Sequence, residues 1–549
     1  MIHDVPKFIF DSWVEKLRAR DYVLTHVTAT GSGNEAIFGG IMEMVENITD
    51  WRIDCGIKDY KPFLNDKKGQ GMIPFKIQGF RSYGTPDNRI YCILRHENLG
   101  NENVVQYSHP NLNFKRIFDA KMTKRFWHPL KLFMSDDLKI SPLFTDTSVG
   151  NWSSYTHLNA TGLEARIKEE KLNGLVPTDI QGALHDGEEH YNVIFQELLS
   201  PKPRHWHATG NVTGFKNNEK TEQELDLVMK DFMKTNGVRQ AQVAIASKGI
   251  IRAERAYTWA EDDRDIVEPS DAFLLASVSK MFLYAAVDQV IKRGQLSLKT
   301  KVYERLGYSN ATDERAMDIT VNHLLGHKGG YDHKKAGEDI TLNFGQVALS
   351  LPSKGEQAAT DRDILEYMLT QPLQSNPGTK KAYSNYGTML LGYLVSNVTE
   401  MPYMDFLEKN VLKGMDVKIY RTSADEHKDD RIIQETRFIG PDPRNPLSHK
   451  SVGSAHGGDG AIKEECAAAF SLKASAGTIA QFIGFNSASG IGPRENGWRR
   501  GSLEGARTHV ESRGKIDFAV VLNTREFSSD KEFERLTEKL IPKVLDRAT

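Results

Sequence analysis

Two stretches of this chain are copies of one pattern. Gly71-Met72-Ile73-Pro74-Phe75-Lys76-Ile77-Gln78-Gly79 and Gly174-Leu175-Val176-Pro177-Thr178-Asp179-Ile180-Gln181-Gly182 both read Gly-x-x-Pro-x-x-Ile-Gln-Gly. Each leads into a second β-like run, Tyr91-Cys92-Ile93-Leu94 and Tyr191-Asn192-Val193-Ile194-Phe195. Each follows a Trp-led strand, at Trp51 and Trp152, and a helix-like stretch lies between, clearest from Leu163 to Leu172. The unit therefore reads as strand, helix, hairpin. Weaker copies are expected at residues 8–45 and 114–145, and Trp206-His207 is a candidate start of another. Units of this size stack to bury a shared core, and they usually build a scaffold or a binding surface, not a reaction centre.

With 549 residues the chain is too long for one ordinary core. The repeats run out near residue 215, so a repeat domain over 1–215 and a second domain over 216–549 are expected, α+β in class. Thr221 with Glu224 reads as a capping box, and Leu225, Val228, Met229, Phe232 and Met233 form one helical face that ends at Asn236-Gly237. Ala241–Ser247 and Ile250–Trp259 then read as a hairpin turning at Lys248-Gly249.

Composition narrows the function classes. A net charge of −2, with 26% charged residues, gives no basis for binding nucleic acid or an anionic membrane. No apolar run approaches the ~18 residues of a membrane span. Met1-Ile2-His3-Asp4-Val5-Pro6 leads into no apolar run, so no signal peptide is expected there. No Cys-x-x-Cys and no His-Glu-x-x-His occurs, so no metal is expected. Of the three cysteines, Cys55 and Cys92 each sit in a β-like run; a disulfide and two free thiols both remain open, and Cys466 stands apart. Six Asn-x-Ser/Thr sites, at Asn47, Asn151, Asn159, Asn211, Asn310 and Asn397, hint at secretion.

Ser-x-x-Lys occurs three times, at Ser277/Lys280, Ser512/Lys515 and Ser528/Lys531. Ser512 reads as part of a turn and Ser528 as part of a polar loop. Ser277 instead opens an apolar helix, with Met281 to Val287 following. Residues three apart share a helix face, so Lys280 would hold its amine beside the Ser277 hydroxyl. A buried lysine tends to lose its proton, and a neutral amine can take the serine proton.

Tyr-Ser-Asn occurs twice. At Tyr308 it reads as a surface turn. At Tyr383 it follows Pro377-Gly378 and precedes an apolar helix, where a tyrosine can reach a serine across a cleft and Asn385 can orient Lys280 or a substrate amide. Arg499-Arg500-Gly501-Ser502 lies before a β-run, Phe518 to Asn523. A solvated basic pair is the plain reading of the arginines. A strand-borne N–H at Ser502, together with that of Ser277, would form an oxyanion hole.

Taken in order, these residues resemble the class C β-lactamase and D-Ala-D-Ala carboxypeptidase family, whose signature runs Ser-x-x-Lys, Tyr-x-Asn, Lys/His-x-Gly. Ile319 to His327 resembles the family's segment between the first two motifs. The resemblance spans about residues 220–525. It implies an antiparallel sheet flanked by helices with a helical subdomain, and no cofactor. It also implies Ser277 as nucleophile, Lys280 and Tyr383 as proton-transfer pair, Asn385 as positioning residue, and Gly501 and Ser502 at the oxyanion site. Arg499 departs from the family's Lys or His, which leaves its carboxylate-binding role open.

The repeats ahead of such a domain resemble those of the fungal polyglycine hydrolases, secreted endopeptidases that cut glycine-rich linkers of plant chitinases. This second resemblance implies a protein or peptide substrate and an extracellular site of action. An esterase or β-lactamase acting on small molecules, a D-amino-acid peptidase, and an idle binding protein remain alternatives.

Overall fold

A computed structural model describes the chain apart from residues 31–36, 45–48, 57–58, 60–61, 64–65, 68–69, 71, 82–87, 96–104, 108–126, 135–137, 139, 146–148, 199–203, 352–356, 423–430, 437, 449, 528–529 and 549. The chain forms two compact units, Met1–His205 with Lys234–Gly237, and Trp206–Met233 with Val238–Thr549.

Among the described residues, the first unit holds four copies of one three-stranded antiparallel sheet. The first copy is β1 (Ile2–Pro6), helix α1 (Lys7–Arg18), β2 (Val23–Thr30) and β3 (Ile37–Glu43). The second has β4 (Thr49–Gly56), β5 (Ile73–Arg81) and β6 (Asn88–Arg95), and the third β7 (Val105–Tyr107), β8 (His128–Met134) and β9 (Ile140–Thr145). The fourth is β10 (Trp152–Leu158), α2 (Ala160–Leu172), β11 (Val176–His185) and β12 (Glu188–Gln196). In every copy the last strand lies in the middle: β1-β3-β2, β4-β6-β5, β7-β9-β8, β10-β12-β11. The first and third copies thus begin at Ile2 and Val105, ahead of the expected 8 and 114, because each opens with a strand that the expected bounds left out.

The ladder explains the repeated proline. Register shifts between Pro74 and Lys76, Pro129 and Lys131, and Pro177 and Asp179, and at the matching place between Leu24 and His26. Proline has no N–H for the ladder and is tolerated on an edge strand at a bulge, which is where β5, β8 and β11 put it, while β2 bulges at the same place without one. Gly174, after α2, takes φ of +77°, a left-handed turn that suits glycine. Tyr91 faces Gln78, and Asn192 faces Gln181. Tyr91 is therefore the counterpart of Asn192, one residue off the match of the two Tyr-led runs. Successive copies stack: Leu132 and Ile140 of the third bury against Ile194 of the fourth, and Lys131 pairs with Asp179 at 3.1 Å. Cys55 and Cys92 stand on neighbouring strands, opposite Ile90 and Arg52; their side chains, and the disulfide question, lie outside the described residues.

The second unit is built on a six-stranded sheet. Its strands are β13 (His205–Val212), β14 (Gln240–Ser247), β15 (Ile250–Ala260), β21 (Gly497–Leu503), β22 (Ala506–Arg513) and β23 (Ile516–Leu522), in the order β13-β15-β14-β23-β22-β21. β13 corrects one expectation: Trp206-His207 opens no further repeat. Trp206 stacks on Tyr257 of β15 at 5.5 Å, and Arg255 donates to the Gly210 carbonyl at 2.5 Å.

A second correction concerns α3, which runs Asn218–Asn236. Asn217 caps it, its side chain taking the Lys220 N–H at 2.9 Å, while Thr221 bonds the Asn217 carbonyl and Glu224 pairs with Arg547. An asparagine cap one turn earlier displaces the expected capping box.

Between the two halves of the sheet lie helices, chiefly α4 (Ser279–Lys292) and α5 (Asn385–Thr399). Both are apolar nearly all round and buried, as such helices must be. At Gly392 of α5 a Cβ would lie 2.4 Å from the Ala468 methyl and 3.9 Å from Leu283 Cδ1 of α4. One core runs from Ala244, Ala246 and Val521 of the sheet through Met281 and Leu283 to Leu390 and Leu391. Short strands β16 (Phe273–Leu274), β17 (Tyr420–Arg421) and β20 (Leu472–Ala474) form the sheet β16-β20-β17, and β18 (Ile439–Pro441) pairs with β19 (Ser451–Gly453). α6 (Ala476–Ile483) covers the large sheet with Ile479, Ala480 and Ile483 buried.

Candidate active site

Ser277 stands where β16 turns into α4. The Leu275 N–H donates to the Leu472 carbonyl at 2.9 Å, which ties the end of β16 to β20. Ala276 then takes φ of +48°, a left-handed conformation that a Cβ disfavours. Such strain clusters at functional sites. A short 3₁₀ turn, Ala276–Val278, carries Ser277 into the helix, and Lys280 follows one turn later.

Lys280 is fully buried. Its amine meets three oxygens: Ser277 Oγ at 3.2 Å, Asn385 Oδ1 at 2.8 Å and the Ala469 carbonyl at 2.6 Å. Burial, and next the Arg499 charge, push its pKa well below the usual lysine range, against a smaller pull from Asp339 and Cys466.

Tyr383 closes the other side of the serine, its hydroxyl 2.6 Å from Ser277 Oγ. Its ring lies 5.0 Å from the Lys280 amine. Burial of the hydroxyl raises its pKa, while the Ser277 hydrogen bond and the Arg499 charge oppose the rise. The Tyr-Ser-Asn spacing works because Ser384 is the N-cap of α5, its Oγ taking the Gly387 N–H at 3.0 Å. Tyr383 thus precedes the helix and Asn385 opens it. Tyr308 of the other Tyr-Ser-Asn bonds Glu366 instead.

Two side chains that sequence reasoning passed over complete the cluster. His327 lies in the stretch already singled out, but without a role. Its Nδ1 takes the Ser384 N–H at 3.3 Å, so the proton sits on Nε2, 3.3 Å from the Tyr284 hydroxyl. Its ring packs 4.7 Å from that of Tyr383, and burial lowers its pKa to about 4, so it stays neutral. Asp339 takes the Asn385 Nδ2–H at 2.9 Å. Tyr284, which sequence reasoning gave no role, carried a usable signal in its helix spacing, four residues after Lys280. No spacing ties Asp339 to any motif.

β21 is the edge strand beside the serine. Gly501 lies so close that a Cβ there would be 2.4 Å from the Leu275 carbonyl and 3.0 Å from Ser277 N. Ser502 follows it and is exposed. The arginines are not a solvated pair. Arg499 donates to the Ala488 and Ser489 carbonyls at 2.9 and 3.2 Å, with its guanidinium 5.3 Å from the Tyr284 ring. Arg500 pairs with Glu538 at 2.6 Å and reaches His509 at 3.2 Å. Successive side chains of a strand point to opposite faces, which separates the two.

Of the remaining Ser-x-x-Lys pairs, Ser512 is buried in β22 and not in a turn, its hydroxyl 3.5 Å from the Ile483 carbonyl. Ser528 lies outside the described residues. Among the described residues no group of three His, Cys, Asp or Glu side chains is placed to hold a metal, and no helix is long and apolar enough to cross a membrane.

Residues 225–517 match the beta-lactamase family model. Residues 1–44 and 149–198 match a model described as a polyglycine hydrolase-like structural repeat. Protein flp of Staphylococcus aureus (strain MW2) is 22% identical over 200 residues, 36% of this chain and 38% of that protein. A putative D-alanyl-D-alanine carboxypeptidase of Escherichia coli (strain K12) is 27% identical over 146 residues, 26% of this chain and 31% of that one. The chain thus spans well under half the length of these curated relatives. Among solved structures, a class C beta lactamase from Rhodobacter sphaeroides aligns at a TM-score of 0.42 and 16% identity, covering 59% of this chain and 99% of that one. The D-amino acid amidase from Ochrobactrum anthropi SV3 aligns at 0.43 and 14%, covering 60% and 99%.

Proposed function

The chain belongs to the beta-lactamase family, and from that membership we propose that it is a serine endopeptidase cutting extended, glycine-rich segments of other proteins. The carrying observation is one hydroxyl, Ser277 Oγ, held between the Lys280 amine at 3.2 Å and the Tyr383 hydroxyl at 2.6 Å. In this reading Ser277 Oγ attacks the scissile carbonyl carbon, the neutral Lys280 amine takes its proton, and the Tyr383 hydroxyl beside Oγ relays that proton on to the leaving amine. The Ser277 and Ser502 N–H groups receive the oxyanion, a contribution of about 3 kcal/mol from each such donor. The C–N bond then breaks, the amine leaves with the proton, and water hydrolyses the ester on Ser277.

Three features favour an internal, glycine-rich peptide. The repeats match the polyglycine hydrolase-like model. β21 is an edge strand, and an edge strand recognises an extended peptide through its backbone, without a side-chain pocket. Arg499 is committed to the Ala488 and Ser489 carbonyls and is not held out as a clamp for a terminal carboxylate. The same reading places the protein outside the cell, acting on a linker such as that of a plant chitinase.

The test is a pair of two-domain substrates, one joined by polyglycine and one by an alanine-serine linker, with cuts located by mass spectrometry. Cleavage between glycines in the first alone, lost in Ser277→Ala, is the expected outcome. No cleavage of either, with fast hydrolysis of a small ester, would replace the endopeptidase by a small-molecule hydrolase.

A further inference from the structure

We infer that Asp339 is a positioning residue for the reaction: by fixing which way the Asn385 amide faces, it aims the Lys280 amine at Ser277. The inference rests on Lys280 serving as the base for Ser277.

The geometry of a neutral amine carries the case. Such an amine has two N–H groups and one lone pair, and only the lone pair can accept a proton. Three oxygens surround Lys280 Nζ: Ser277 Oγ, Asn385 Oδ1 and the Ala469 carbonyl. A backbone carbonyl only accepts, so it takes one N–H. Asn385 is ambiguous, because an amide turned over would present its NH₂ to the amine. That NH₂ would claim the lone pair and leave an N–H aimed at Ser277, which suits a donor and not a base.

Asp339 removes the ambiguity. Its Oδ2 takes the Asn385 Nδ2–H at 2.9 Å, and a carboxylate can only accept there. The amide oxygen must then face Lys280 and take the second N–H. The lone pair is left for the Ser277 proton. Asp339 is itself held: its Oδ1 takes the Thr341 N–H at 3.1 Å and the Thr341 hydroxyl at 2.7 Å. Nothing in the sequence spacing marks it, since it lies on the loop before a short 3₁₀ turn, Ile340–Leu342.

A carboxylate near the base has an electrostatic consequence too. The titratable and charged groups facing Lys280 are Tyr383, Arg499, Asp339, Cys466 and His327. Asp339 favours the ammonium and Arg499 opposes it. Removing the Asp339 charge therefore lowers the pKa of Lys280 further, and the acid limb of any rate that needs the neutral amine moves to lower pH.

The experiment is the rate of Ser277 acylation by a fluorophosphonate, followed by intact mass across pH in the full chain. Asp339→Ala should slow acylation about tenfold to a hundredfold at the pH optimum, the usual size of a misaligned reacting group. The near-isosteric Asp339→Asn keeps an acceptor oxygen and should lose less, yet its acid limb should also sit at lower pH. Adding Asn385→Ala to Asp339→Ala should cost little more, since the two act as one unit. Wild-type rates with an unmoved acid limb in both Asp339 variants would overturn the inference, as would independent, multiplying losses in the double variant. No labelling of Ser277 in the wild type would overturn the reading beneath it as well.

Discussion

The hydroxyls of Ser277 and Tyr383 lie 2.6 Å apart although 106 residues separate them in the chain. The two arrive from different elements, one at the turn into α4 and one just before the N-cap of α5. Lys280 touches both, through the serine oxygen and beneath the tyrosine ring. On the proposed reading, a proton leaving Ser277 finds the Lys280 amine on one side and the Tyr383 hydroxyl on the other.

Lys280→Ala and Tyr383→Phe should each slow hydrolysis by about 10²- to 10⁴-fold, the range for a lost acid–base partner. The double variant should be scarcely worse than either single one, because a shared proton-transfer unit is lost only once. Tyr308→Phe, which touches only a Glu366 hydrogen bond, should keep full activity. Steady-state kinetics on any turned-over ester checks all four.

Arg499→Gln should move the acid limb of the pH–rate profile upward. Its charge is second only to burial in holding the Lys280 pKa down. Without it the ammonium persists to higher pH, so the neutral base appears later as pH rises. The shift runs opposite to that expected for Asp339→Asn. A downward shift, or none, would mean that Lys280 is not the group titrating.

Gly501→Ala should damage both fold and rate. The new methyl would lie 2.4 Å from the Leu275 carbonyl, a backbone atom that can yield only if the turn carrying Ser277 shifts. Overpacking of this kind costs about 1–3 kcal/mol. A lowered melting temperature together with a loss in kcat is the expected pairing, read by calorimetry and kinetics on one preparation.

Deleting the repeats tests where the second unit begins. A chain starting at residue 204 keeps β13, with Trp206 stacked on Tyr257 and Gly210 bound by Arg255. It should fold and react with a small acylating probe while losing activity on a two-domain substrate. A chain starting at residue 216 lacks that strand, leaves the edge of β15 open, and should aggregate or melt earlier.

The contrast between legible and illegible parts follows from how far each signal reaches. Ser277 with Lys280 was readable because three residues along a helix is a fixed distance. Tyr383 and Asn385 were readable because a cap and its helix are local. β13 was misread because Trp206-His207 carries the same Trp-led signal as the repeats, and only its partner strand β15 tells it apart. The start of α3 was misread because Asn217 and Thr221 are both good caps, and the sequence does not rank them. Asp339 and the Ala469 carbonyl meet the site through the fold alone. So does the separation of Arg499 from Arg500, which depends on the face that each side of β21 presents.

The most direct test of the whole account is intact-mass analysis after incubation with a fluorophosphonate, followed by peptide mapping, on the wild type and on Ser277→Ala. One adduct per chain, mapped to Ser277 and absent from Ser277→Ala with the melting temperature unchanged, is the expected result. An unlabelled wild type, or equal labelling of Ser277→Ala at another serine, would contradict it.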